Sequence, residues 1–197
     1  NRGIYINRSN HLGQSWTTPN KIFDAASSNW DSINHPKLAL TGDGILHSVF
    51  AQYSVRGEIQ SKGLYYSHSL DGGSKWNKPI TISEGQVYWS EIIADADHTL
   101  HLLWRERRGQ EMVDYYQASI NSGLTWSPIV EISSTNEKSV MTTSVIDLNG
   151  QLHLYQLVSN ESLSIQDWSL SSSGWGFEGS RLLSNNIGHE FLPGFSV

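Results

Sequence analysis

The chain has 197 residues, enough for one domain or a little more, and is mildly acidic, with 13 Lys plus Arg against 19 Asp plus Glu. The basic residues are dispersed apart from Arg105, Arg107 and Arg108, so there is no footprint for nucleic acid, and no apolar run approaches the length that membrane insertion needs. Cysteine is absent, which removes disulfides and thiolate chemistry.

Short alternating segments separated by turn residues predict an all-β fold without a helix. Residues 3–8 read as a strand, followed by a loop at 9–16 and a further strand near 19–24. A first complete repeat then sets out Lys37–Leu40, the turn Thr41–Gly44, the strand Gly44–Phe50, the strand Gly63–Ser67, a loop at 69–76 and the strand Pro79–Ser83. The same order returns in Ile92–Asp95, His98–Trp104, Val113–Gln117, a loop at 119–126 and Pro128–Ser133. A third pass runs through Thr143–Asp147 and Gly150–Tyr155, and Glu190–Val197 reads as one more first strand. Four antiparallel strands per repeat of about 50 residues is the makeup of a β-propeller blade.

The loops carry a motif, S-x-x-x-G-x-x-W, in three copies: Ser9, Gly13 and Trp16; Ser69, Asp71, Gly73 and Trp76; Ser119, Asn121, Gly123 and Trp126. A worn fourth copy, Ser169 to Gly174 and Trp175, has lost one residue. The glycines supply the positive φ of a tight turn, the Asp71 or Asn121 oxygen accepts amides of its own loop, and the tryptophan folds back as an apolar lid. Each residue type therefore has a local structural task.

This loop resembles the Asp box, or bacterial neuraminidase repeat, of sialidases and sialidase-like propellers. The resemblance covers the whole chain as repeats and implies an all-β propeller of four-stranded antiparallel blades. It also implies that the boxes lie away from the active centre, and it suggests an extracellular or periplasmic setting. The repeats fall at about 1–34 (a half blade), 35–84, 87–134, 140–184 and 188–197, roughly four blades' worth, whereas sialidase-like propellers usually have six. The register thus has the chain begin and end inside blades. That leaves a fragment of a larger protein, a small propeller whose ends join in one blade, or a partial propeller completed by another copy; a fragment or partial propeller is expected, because an open edge invites self-association.

Antiparallel connectivity puts the boxed loops and the turns between first and second strands on one rim. The opposite rim, where relatives of this kind hold their ligand, takes its candidates from residues 29–35, 86–91, 138–143 and 188–190 and from the ends of second strands. Trp30, Trp89, His35, Arg56, Arg105 and Glu190 are the candidate sugar contacts, since rings stack on apolar sugar faces and polar groups fix hydroxyls. Trp30 and Trp89 are read equally as packing between blades. Glu91 and Arg105 form the sharpest pair: they fall on one hairpin, as in the sialidase pattern in which the arginine helps bind a substrate carboxylate, and a hairpin salt bridge explains them as well. Asp31 and Glu91 are the carboxylates placed for catalysis, with a loop role for Asp31 as the alternative.

Departures from sialidases are substantial. The R-I-P arginine motif is absent, three arginines cannot be assigned among Arg56, Arg105 and Arg181, and no tyrosine is placed as nucleophile. His47, His101 and His153 recur at one blade position without zinc-site spacing and read as packing residues, so neither a metal nor a cofactor is expected. Glycan binding by a sialidase-like propeller is the leading expectation. The alternatives are a sialidase or other glycoside hydrolase whose missing residues lie outside this chain, and a non-catalytic scaffold.

Overall fold

A computed structural model describes residues 2–55, 60–135, 139–159 and 162–184, all of them in strands, turns or irregular segments, with no helix among them. Two compact units are distinguished, residues 1–107 with 115–130 and residues 108–114 with 131–197.

The first unit opens with β1 (Gly3–Ile6) paired antiparallel to β2 (Asn20–Asp24). A four-stranded antiparallel meander follows in the order β3 (Ser32–Leu40), β4 (Leu46–Ser54), β5 (Gln60–Ser69) and β6 (Ile80–Ser83). The next meander runs β7 (Gln86–Ala94), β8 (Leu100–Arg108), β9 (Glu111–Ser119) and β10 (Val130–Thr135), of which residues 108–114 and 131–135 belong to the second unit. The first strands β3 and β7 lie side by side at the inner edge. Alternation sends Ala39, Val49, Leu64 and Tyr66 to one face of the second sheet, where they meet Ile92, Leu100, Leu102 and Trp104 from β7 and β8. A further aromatic cluster gathers Phe23, Trp30, Phe50 and Tyr65, with Trp30 4.6 Å from Phe23 and 4.4 Å from Tyr65.

In the second unit β11 (Ser139–Ile146), β12 (Leu152–Ser159), β13 (Leu163–Ser171) and β14 (Gly174–Ser184) form another antiparallel meander. Leu154, Gln156 and Val158 are buried on one face. Burial of the Gln156 Nε2 is offset by hydrogen bonds, since it donates to Asp114 Oδ2 (2.6 Å) and Ser133 Oγ (3.0 Å), while its Oε1 is buried without a partner.

The repeated loops close on themselves. The Gly13, Gly73 and Gly123 amides donate to the Oγ of Ser9, Ser69 and Ser119 at 2.8, 2.8 and 2.9 Å. Lys75 and Thr125 amides donate to the Oδ1 of Asp71 and Asn121. The Lys75 amide, and then the Ser69 hydroxyl, hold the Asp71 carboxylate below the usual range. The indole N–H of Trp16 and of Trp76 donates to the carbonyl of its own loop glycine. Leu12, Gly72 and Ser122 share one loop position, and all three adopt positive φ.

The fourth copy does not fold this way. Ser171 pairs with Gly174 across a two-residue turn, so β13 and β14 form a tight hairpin, and Ser169 donates to Glu178 Oε1 rather than receiving a loop amide. Deleting one residue from the loop removed the amide that would reach the serine.

The recurring histidines clamp each sheet. His47 links Thr41 Oγ1 (3.0 Å) to the Tyr66 hydroxyl (2.8 Å), and His101 links Asp95 Oδ2 (3.2 Å) to the Tyr116 hydroxyl (2.9 Å). In the last sheet His153 lies 3.0 Å from Asp167 Oδ1 and 3.9 Å from Asp147 Oδ2, since Asp167 stands where the other sheets carry tyrosine. The histidine thus ties the turn before its own strand to the third strand.

Candidate functional site

The first strands start several residues earlier than their alternation predicts, at Ser32, Gln86 and Ser139, because each contains a β-bulge near its beginning. The register shifts between Asn34 and Lys37 in β3, between Val87 and Trp89 in β7, and between Ser139 and Met141 in β11. All three bulges fall at the strand end opposite the repeated loops. That the loops share the other rim with the turns between first and second strands is visible in the Ser122 hydroxyl, which donates to Asp43 Oδ2 at 2.8 Å. Bulges break the period of two, hide a strand from pattern reading, and re-aim side chains.

In β3 the bulge extrudes His35, at φ 52°, with Pro36. A proline fits there because the bulge asks no ladder hydrogen bond of it. The His35 ring stands edge-on to Tyr53 with centroids 5.7 Å apart. In β7 the extra residue is Tyr88, 46% exposed, whose hydroxyl donates to Gln86 Oε1 at 3.2 Å. Burial, and then the neighbouring Tyr88, push the Tyr53 hydroxyl above its ordinary pKa. His35, Tyr53 and Tyr88 therefore gather at one place on this rim.

Lys37 on β3 reaches across to Glu91 on β7, Nζ to Oε1 3.4 Å, with the two side chains 42% and 21% exposed. Glu91 sits within β7 rather than at its start, opposite Leu103, while Arg105 is opposite Trp89. The hairpin register thus makes Glu91 and Arg105 diagonal neighbours on one face. Arg105 is only 3% exposed and is engaged by partners. Trp89 is half-buried beside it.

Asp31 precedes β3. Its Oδ2 accepts from Ser54 Oγ (3.4 Å) and the Val55 amide (3.5 Å), and its backbone oxygen accepts from Arg2 Nη1 (3.0 Å). These bonds fix the lead-in to β3 against the end of β4. Trp30 is held in its aromatic cluster, a packing role whatever else it does. Arg56 and Glu190 lie outside the described residues. The structure thus brings together His35, Glu91, Trp89 and Arg105 near the inner strands and adds Lys37, Tyr53 and Tyr88, which sequence reasoning did not single out. A proline within an otherwise strand-like stretch, at Pro36, was the available signal.

A groove of about 570 Å³ lies in the second unit, lined by Met141, Thr143, Tyr155, Leu157, Ile165 and Asp167 among others. Strand by strand it is the counterpart of the face of the second sheet that β7 and β8 cover, which marks it as a packing surface. Among the described residues no cluster of three or more His, Asp or Glu is placed to hold a metal ion, and no helix is long and apolar enough to cross a membrane.

No protein-family model and no curated protein matches this sequence. Solved structures do. The Hadza microbial sialidase Hz136 is 18% identical with a TM-score of 0.67, over 89% of this chain and 40% of that one. The NanB sialidase from Streptococcus pneumoniae is 10% identical at TM-score 0.60, over 92% and 46%. The alpha-L-arabinanase of Penicillium chrysogenum is 15% identical at TM-score 0.56, over 79% and 50%. This chain spans half or less of the length of these three structures. The fold is that of a sialidase-like β-propeller, and the four-stranded sheets are its blades.

Proposed function

We propose that this chain binds carbohydrate on the rim opposite its repeated loops, in an extracellular or periplasmic setting. The observation that supports this most is the recurrence of a bulge at the same end of the neighbouring strands β3 and β7, which turns that end of two otherwise regular blades into an irregular, side-chain-rich surface. There the Lys37–Glu91 pair offers donors and acceptors to sugar hydroxyls, and Trp89 and His35 offer rings. The similar solved structures named sialidase and arabinanase support a sugar as ligand.

A glycan array probed with the whole chain tests this. Binding to at least one glycan class is expected, with Glu91→Gln and Trp89→Ala weakening it by about tenfold or more. Retention of full binding by both variants places the ligand elsewhere, and absence of binding to every glycan overturns the reading. A hydrolase is the second reading, favoured by the two carboxylates Asp31 and Glu91 on this rim. Release of reducing sugar or of sialic acid by the wild type, abolished in both Asp31→Asn and Glu91→Gln, would establish it.

A further inference from the structure

Within that carbohydrate reading, on which this inference rests, the geometry points to an uncharged sugar chain as the ligand, laid along the ring row His35–Tyr53–Tyr88, and not to a sugar acid clamped by arginine. Two observations carry it.

The first is the row itself. His35 and Tyr88 are the residues that the bulges of two adjacent inner strands extrude, and Tyr53 on β4 lies between them. A left-handed histidine costs about 1 kcal/mol, and each bulge gives up ladder hydrogen bonds. Both costs fall at the same end of neighbouring strands and both expose a ring. The Tyr53 hydroxyl lies 3.4 Å from His35 Nδ1, and the Tyr88 hydroxyl is tied to Gln86, whose Nε2 donates to Gln60 Oε1 at 2.6 Å. The rings are therefore steadied by hydrogen bonds, and by the edge-on contact of His35 with Tyr53, in a way that leaves the exposed Tyr88 ring and the outer side of the His35–Tyr53 pair for the apolar face of a pyranose or furanose.

The second is the state of the cations. Capture of a carboxylate needs a guanidinium or ammonium that is accessible and not already neutralised. Among the described residues, Arg105 is buried and engaged, Arg107 opposite Gln86 is exposed but has a partner of its own, Lys37 is paired with Glu91, Arg2 donates to the Asp31 backbone, and the chain carries a net charge of −6. Uncharged hydroxyls suit such a rim, because a Lys–Glu pair both donates to and accepts from them without losing its own neutrality.

The test sets neutral gluco-, xylo-, arabino- and galacto-oligosaccharides beside sialylated and uronic acid glycans on one array, with affinities of the hits from titration calorimetry. The expected result is binding to a neutral chain, with a dissociation constant that changes less than about twofold in 0.5 M NaCl. Tyr88→Ala should weaken it by about tenfold with a melting temperature within about 2 °C of wild type. Saturation-transfer NMR should show the sugar ring protons closest to the protein. A preference for acidic glycans, or neutral binding untouched by both Tyr88→Ala and His35→Ala, overturns the inference while the carbohydrate reading stands. Silence towards all glycans overturns that reading as well.

Discussion

The two rims of these blades are built on opposite rules. At the loop rim, Ser69 and Ser119 each receive the amide of the glycine four residues on, each Asp71 or Asn121 closes its own loop, and the histidine clamp anchors the adjoining turn. That loop chemistry repeats almost atom for atom between the loops at 69–76 and 119–126. At the other rim only the bulge repeats: it extrudes a left-handed histidine in one strand and a tyrosine in the next, and the residues between the strands are charged in one place and aromatic in another. Repetition serves packing, which every blade needs alike, and the proposed recognition of a sugar would draw on the variation, since it needs one asymmetric site.

The largest effect should come from breaking the loop rim. Gly123 has φ 80°, and a Cβ there would collide with the Tyr66 hydroxyl. Gly123→Ala is expected to cost about 3–4 kcal/mol, from backbone strain and overpacking together, read as a shift in the urea midpoint at unchanged slope. A cost below about 1 kcal/mol would mean that the loop does not lean on Tyr66.

Next is acidification. Burial, reinforced by the nearby His68 and opposed by Asp43, lowers the His47 pKa to about 4 from 6.5. The unfolded chain therefore binds a proton at this site that the folded chain refuses between those values, so stability rises with pH across the window. The contribution, about 2–3 kcal/mol, is complete above pH 6.5 and is lost progressively as pH falls towards 4. Unfolding free energies of wild type and His47→Gln, compared over that range, should converge as the pH drops; a constant difference would show that His47 titrates normally.

The smallest effect should have the opposite sign and come from the other rim. His35→Gly removes the Cβ that opposes a left-handed backbone and should add about 0.5–1 kcal/mol of stability while lowering glycan affinity. A variant that is both less stable and equally able to bind would erase the distinction between the rims.

How much was legible follows the same division. The loop rim announced itself because its spacing in sequence is its spacing in hydrogen bonds: Ser69 and Gly73, or Ser119 and Gly123, meet without help from distant parts of the chain. The second strand of each sheet, and the third and fourth strands of the first two complete sheets, were equally readable from alternation. The first strands were not, since an unpaired residue shifts the period by one and Pro36 reads as a break. So Ser32–Pro36 and Gln86–Ser90 were expected as loops and are strands, Lys37 and Tyr53 went unnoticed, and Tyr88 was included in a candidate segment without being singled out. Their proximity depends on two strands lying side by side, a fact that no single segment encodes. The worn fourth loop misled in the other direction, because composition survived at Ser169 and Gly174 after the length that makes the turn had gone.

One joint between sheets has a consequence for how such proteins change over generations. Tyr66 belongs to the second sheet; its ring is met edge-on by Trp126 at 5.1 Å and its hydroxyl donates to the Ser122 carbonyl, both in the loop of the third. Beside the buried packing of β3–β5 on β7 and β8, this contact is specified by one residue in one repeat and one short loop in the following repeat. A duplicated or deleted repeat carries both halves with it and leaves a sound seam behind. Blade number in such an architecture can drift cheaply, whereas an ion pair between two particular neighbours, as Lys37 and Glu91 are, survives only if those two remain adjacent.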